Sequence, residues 1–226
     1  EPWVMNDKPE SGEGYEAAVA YAVADKLGFK KSDVVWTRTA FDTAIAPGGK
    51  DWDFNIQQFG ITDERKKAVD FSSSYYNDSQ SVVVKKDSKF ANATKVSDLK
   101  DATVGVMVGT LAYDYAKANI KDDIQTFNDD AALAQALDAG QIDALVTSTV
   151  ECVYMVQSEQ VKDAKVLGRL PDSEDKSGMG IVLPKDSKLT AAVTKAVDDL
   201  NADGTIKKLQ DKWLAEYTTD LTELKK

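Results

Sequence analysis

Two stretches of the chain repeat one plan, short apolar strands alternating with amphipathic helices, and this alternation limits the fold more than any other feature. In the first, a helical pattern over residues 15–27 sets Ala18, Tyr21, Ala22 and Leu27 on one face and stops at the C′ glycine Gly28. A strand over residues 34–37, a short helix from Phe41, the pair Gly48-Gly49 and a strand over residues 53–59 follow. In the second, a strand over residues 103–108 leads into Gly109-Thr110 and a helix to about Ala118, and Phe127 closes another strand. A helix from Asp129 or Asp130 carries Leu133, Ala136 and Leu137 and stops at Gly140, and a strand over residues 142–147 completes the copy. Strands joined through helices imply parallel pairing, and two such units imply two α/β lobes. Ligands of open α/β sheets lie at the carboxyl ends of strands, where two facing lobes form a cleft.

The C-terminal third reads as helical. Ser187 is placed to cap a helix with Leu189, Val193, Ala196, Val197 and Leu200 inward. Asp203-Gly204 breaks it, and Thr205 is placed to cap a second helix bearing Ile206, Leu209 and Trp213. Two β-rich stretches, residues 79–86 and 178–184, read as the crossings between lobes. Lobe 1 is then discontinuous, residues 1–79 plus 178–226, and lobe 2 spans residues 80–177.

Composition excludes several function classes. The net charge of −10 argues against nucleic acid or an anionic membrane as partner. It leaves room for a small anion, because one buried arginine sets its own local field. With no histidine, imidazole metal sites and Ser-His or Cys-His catalysis are excluded. The lone Cys152, among Val150, Val153 and Tyr154, reads as a small core residue. No metal and no cofactor is expected. The start at Glu1 reads as a processed or trimmed product whose signal peptide is gone.

Ile61-Thr-Asp-Glu-Arg65 follows the expected strand over residues 53–59 and runs into Lys66-Lys-Ala-Val-Asp70-Phe71-Ser and Tyr75-Tyr76. Arg65 is a planar, permanently charged fork that can grip a carboxylate through two parallel hydrogen bonds. Amid Asp63, Glu64, Lys66 and Lys67 it can equally be a surface arginine. The stretch resembles the signature of the bacterial extracellular solute-binding proteins of family 3, the type II periplasmic binding proteins of amino-acid ABC importers. Further pieces resemble that family in order: Gly14-Tyr-Glu-Ala-Ala-Val, Phe41-Asp42, residues 100–110, Gly140-Gln-Ile-Asp143-Ala, and the closing helix from Asp203 to Trp213. Pro2-Trp3 resembles the turn after the family's first strand, so that strand is expected before Glu1. The resemblance implies an α/β fold of two lobes, each a mixed, mostly parallel sheet flanked by helices, with the ligand cleft between them.

It also implies roles. Arg65 would hold the ligand's α-carboxylate, and Phe41 would stack on its aliphatic part, with Phe59 assigned to the core and Trp3 open between cleft and core. Gln57, Gln58 and Gly60 stand where the family offers hydroxyls and backbone N–H groups. Gly60 lets the backbone approach closely, and strand alternation turns one glutamine toward the ligand. Gly109-Thr110, at a strand-to-helix turn, is a ready carboxylate site as well as an N-cap. Two positions depart from the family. Leu111 replaces a second hydroxyl, and Ser148 stands where an aspartate pairs with the α-ammonium. Asp143 lies too early to replace that aspartate and suits the strand start. Glu151, three residues beyond Ser148, can reach an amine or complement a helix dipole.

Three functions fit the sequence. The first is a monomeric, extracellular or periplasmic binding protein, with or without a lipid anchor. It would close on an amino acid or related carboxylate and present it to an ABC transporter permease. The second is a cyclohexadienyl-dehydratase-like enzyme with Glu151 as general acid. The third is a sensory or engineered ligand-binding module.

Overall fold

The computed structural model describes residues 1–218 and 221–226. Its helices are α1 (Tyr15–Lys26), α2 (Phe41–Ile45), α3 (Leu111–Asn119), α4 (Asp130–Asp138), α5 (Thr149–Gln157), α6 (Thr190–Ala202) and α7 (Thr205–Trp213). Its strands are β1 (Val69–Tyr76), β2 (Gln80–Lys85), β3 (Val104–Met107), β4 (Gln125–Phe127), β5 (Ala144–Ser148), β6 (Ala164–Arg169) and β7 (Met179–Pro184). The chain forms two compact units. Unit 1 is Glu1–Asn77 with Asp175–Ala215, and unit 2 is Asp78–Glu174 with Glu216–Lys226.

Unit 2 holds a five-stranded sheet in the order β4-β3-β5-β2-β6. β3 runs parallel to β4 and β5, whereas β2 is antiparallel to both β5 and β6. The sheet is mixed, as expected, but its strand pairs divide evenly between parallel and antiparallel instead of being mostly parallel. β5 and β6 are still joined by the helix α5 and share a direction. β2, the first strand of the unit, is inserted between them against both. The Val82-Val83-Val84 run of β2 is buried on both faces, as a central strand requires. Val82 and Val84 pack with Val104, Val106 and Val146 against Ala112 and Ala116 of α3. Val83 points the other way, to Leu133 and Leu137 of α4 and Cys152 and Met155 of α5. Each such side chain contributes about 1.5–3 kcal/mol of burial before entropy is charged.

The tail departs from the expected lobe assignment, which placed residues 178–226 in lobe 1. Residues 216–226 group with unit 2. Backbone pairing holds them there: Arg169 N–H donates to Thr222 O, Leu224 N–H to Arg169 O and Val96 N–H to Lys225 O, at 2.9, 2.9 and 2.8 Å. Leu224 is buried in the α3-side core.

Unit 1 is built on the antiparallel pair β1–β7, where Val69 pairs with Pro184 and Phe71 with Val182. The expected strand over residues 53–59 is reduced to isolated bridges, Asn55 with Val182 and Gly60 with Met179. Gln58 has φ +56°, which no extended strand accommodates. Residues 34–37 form no strand either, and Val35 is 84 % exposed. β-branched composition makes a strand only when a ladder partner is present.

Helix α1 turns a different face inward from the one expected. Tyr15, Glu16, Val19, Ala20 and Val23 are buried, while Ala18, Tyr21, Ala22 and Leu27 are only half-buried. Neither expected serine or threonine cap forms on α6 or α7. Leu189 and Gly204 hold those N-cap positions without side-chain bonds, and Ser187 Oγ accepts from Leu189 N–H instead.

Backbone carbonyls satisfy the N-terminus of α1. Tyr15 N–H donates to Pro2 O, and Glu16 and Ala17 N–H both donate to Trp3 O. Gly14 permits this approach at φ +100°. A Cβ there would lie 2.5 Å from Trp3 O and 2.7 Å from Val4 Cα, both backbone atoms with nowhere to move. Gly14→Ala is expected to cost about 2 kcal/mol or more through left-handed strain and overlap. A lowered midpoint in urea unfolding, with unchanged slope, checks it.

Candidate functional site

Unit 1 gathers most of the residues singled out in the sequence. The 3-10 turn Arg65–Lys67 follows Thr62, whose hydroxyl accepts Arg65 N–H at 3.1 Å. The guanidinium Nη1 donates to Gly60 O at 2.7 Å, and Cζ lies 5.6 Å from the centroid of the Phe41 ring. Phe41 stacks on Phe59 with centroids 4.6 Å apart. Phe59 is fully buried with Ala44, Val69 and Val182, and Phe41 is half-buried beside them. A planar cation is thus held over an aromatic face by a hydrogen bond and a cation–π contact. Trp3, left open by the sequence, is 4 % exposed and meets Tyr15 and Tyr76 edge to face, so it belongs to the core.

The two glutamines are engaged by their own unit. Gln57 Nε2 donates to Thr39 O at 2.9 Å, while its Oε1 is buried without a hydrogen-bond partner. Gln58 N–H donates to Glu16 Oε1 at 2.7 Å, which holds the left-handed Gln58 in place. Glu16 is 3 % exposed and also accepts the Tyr75 hydroxyl in a very short hydrogen bond. Burial pushes its carboxyl up to about 7, against the lowering effect of the Tyr75 and Gln58 bonds. Asp175 is a second carboxylate of this neighbourhood. Burial raises it, while N–H groups of Ser177 and Gly178 and the Arg65 cation act the other way.

Unit 2 places the remaining candidates at strand ends. Thr110 is the N-cap of α3, accepting Tyr113 N–H at 3.2 Å and donating to Met107 O at 2.8 Å. Leu111 is half-buried next to it. Ser148 caps α5 by accepting Glu151 N–H, and Glu151 is 9 % exposed in the first turn of that helix. Asp143 accepts Thr103 N–H at 2.8 Å and so ties the starts of two strands, the role expected of it.

Two carboxylates that sequence reasoning did not single out flank this strand end. Asp78 accepts Ser79 N–H and Val150 N–H and interacts with the Ser148 side chain, and desolvation pushes it up to about 6. Asp130 accepts the Thr147 hydroxyl at 3.4 Å and is likewise raised to about 6 by desolvation. No spacing rule marks either residue. Glu16 was legible in principle, since it shares helical spacing with Val19, Ala20 and Val23. Among the described residues no cluster suited to a metal ion is found.

Residues 1–216 match the family model of the bacterial extracellular solute-binding proteins, family 3. The chain is 31 % identical over 209 residues to the L-cystine-binding protein TcyJ of Escherichia coli (strain K12), covering 91 % of this chain and 76 % of TcyJ. It is 30 % identical to the L-arginine-binding protein of Pseudomonas aeruginosa, covering 89 % and 79 %. Among solved structures, an ancestral arginine-binding protein bound to arginine superposes with a TM-score of 0.79 at 32 % identity, covering 94 % of this chain and 92 % of that one. All three are binding proteins.

Glu16 makes a pH prediction. Its ordinary value is 4.5 and its folded value about 7. Between these values the folded state keeps a proton that the unfolded state has released, so stability falls as pH rises through the window. Glu16→Gln keeps an oxygen that can accept both hydrogen bonds and removes the titration. The variant is expected to gain up to about 3 kcal/mol over wild type above the window and nothing below it. Urea unfolding across the pH range checks this, and parallel pH profiles for the two proteins would contradict it.

Proposed function

Because the chain belongs to the bacterial extracellular solute-binding proteins of family 3, we propose that it is the extracellular or periplasmic binding protein of an ABC importer, taking an amino acid as ligand. The observation that carries this reading is the setting of Arg65. Its guanidinium is fixed at one nitrogen by Gly60 O and lies over the Phe41 ring, half-buried. Such a fork matches a carboxylate's two oxygens, and partial burial strengthens each charge-assisted bond. Gly60 exposes backbone beside it without a side chain in the way.

The ligand is an amino acid in this reading because the named relatives bind cystine and arginine. Unit 2 carries the carboxylates Asp78 and Asp130 close to Ser148, where the family's own aspartate is lacking. This favours a ligand with a cationic group. We further propose that the protein works as a monomer that delivers its ligand to a membrane permease. No chemical step is required of it.

A thermal-shift screen with L-arginine, L-cystine and L-glutamine tests the reading. A ligand at about 100 times its Kd adds ~2.7 kcal/mol to stability. Arg65→Ala is expected to abolish the shift for every responding amino acid while the melt stays cooperative. Equal affinity of Arg65→Ala and wild type in calorimetry would sink the assignment.

A further inference from the structure

We propose that Asp175 is an internal counter-charge for Arg65, competing with the ligand's carboxylate and thereby setting the affinity of the site. This rests on the reading of Arg65 as the carboxylate anchor. Asp175 opens the second segment of unit 1. One of its carboxylate oxygens, Oδ1, is fixed by N–H groups of Ser177 and Gly178 at 3.2 and 3.1 Å. Gly178 O in turn accepts Ile61 N–H at 2.9 Å, and Gly60 accepts the Arg65 guanidinium. These four hydrogen bonds, joined through the Gly60-Ile61 peptide, set the Asp175 carboxylate in register with the turn that carries Arg65.

The other oxygen, Oδ2, is buried and has no hydrogen-bond partner. A buried carboxylate oxygen without a donor is costly unless a cation stands nearby. Arg65 is the cation whose field acts on it. Asn77, which donates to the Asp175 carbonyl at 3.1 Å, is neutral and cannot take that role. A ligand carboxylate arriving at Arg65 would place two anions around one cation. Asp175 is held where it stands by the bonds of its Oδ1 to the Ser177 and Gly178 N–H groups. The incoming carboxylate must therefore overcome its repulsion.

The test uses Asp175→Asn, which retains an acceptor for the Ser177 and Gly178 N–H groups and loses the charge. Calorimetry near pH 8 uses whichever of L-arginine, L-cystine and L-glutamine binds wild type. Asp175→Asn is expected to bind it several-fold more tightly. Affinity that is equal or weaker overturns the proposal. A second measurement needs no ligand: carboxyl-carbon NMR titration of Asp175 in wild type and in Arg65→Gln. Its midpoint is expected to be higher in the variant, and coincident midpoints overturn the counter-charge. Failure of the underlying reading looks different, since Arg65→Ala would then bind the amino acid as wild type does.

Discussion

The buried carboxylate of Glu16 is the joint on which unit 1 is assembled. A single oxygen accepts from the hydroxyl of Tyr75 on β1 and from the N–H of Gln58. Tyr75 O accepts the hydroxyl of Tyr15, one residue before Glu16. Helix α1, strand β1 and the irregular segment over residues 55–60 therefore share one polar centre inside an aromatic core. That segment has no strand ladder of its own and meets β7 only through isolated bridges at Asn55 and Gly60, with Phe59 buried between them. A left-handed Gln58 would otherwise relax, and Phe59 and Gly60 would move with it. Since Gly60 O holds the guanidinium, placement of Arg65 depends on a carboxylate far from it in sequence.

Such a centre is costly, and its cost explains its neighbours. A charge taken from water must be satisfied by hydrogen bonds or give up its ionisation. Here both responses are present: two donors converge on one oxygen, and the carboxyl is raised to about 7. The Tyr75 hydroxyl is driven well above its ordinary value, first by burial and then by the adjacent Glu16, so it remains a donor. Polar groups held this way define one arrangement of the surrounding chain, because any shift strands a buried donor.

The alternation of elements was legible because it follows directly from hydrophobic period. Unit 2 shows this most plainly, since the strand over residues 103–108, the helix from Asp129 or Asp130 up to Gly140 and the strand over residues 142–147 become β3, α4 and β5 within about two residues. What periodicity does not carry is strand direction or pairing. β2 reads as an apolar run whichever way it lies, and its antiparallel insertion between β5 and β6 depends on contacts distant in sequence. The same limit explains residues 34–37 and 53–59, whose composition suits strands that lack a full ladder here. The α1 face was misjudged for another reason. Counting apolar residues alone discards a glutamate, and Glu16 is the residue that marks the buried stripe. At the site, Gly60 and Arg65 could be found because they lie in one short run, and Phe41 because it stands in a second recognisable piece, Phe41-Asp42. Asp175, Asp78 and Asp130 could not, because tertiary contact alone makes them relevant.

Ser148 and Leu111 acquire a physical meaning from those missed carboxylates. Replacing an aspartate by serine removes one negative charge from a strand end, and a cation-binding surface would be weakened accordingly. In this chain the end of β5 keeps its negative character through Asp78 and Asp130, which reach it from the start of β2 and from α4. Both are raised by desolvation, which disfavours the charged form without abolishing it at neutral pH. A cationic group would lower them and be drawn in by the same interaction, since the two effects are one coupling seen from either side. Leu111 puts an apolar side chain at the start of α3, where the Thr110 hydroxyl caps the helix. At the end of β5 the negative charge therefore comes from Asp78 and Asp130 rather than from position 148.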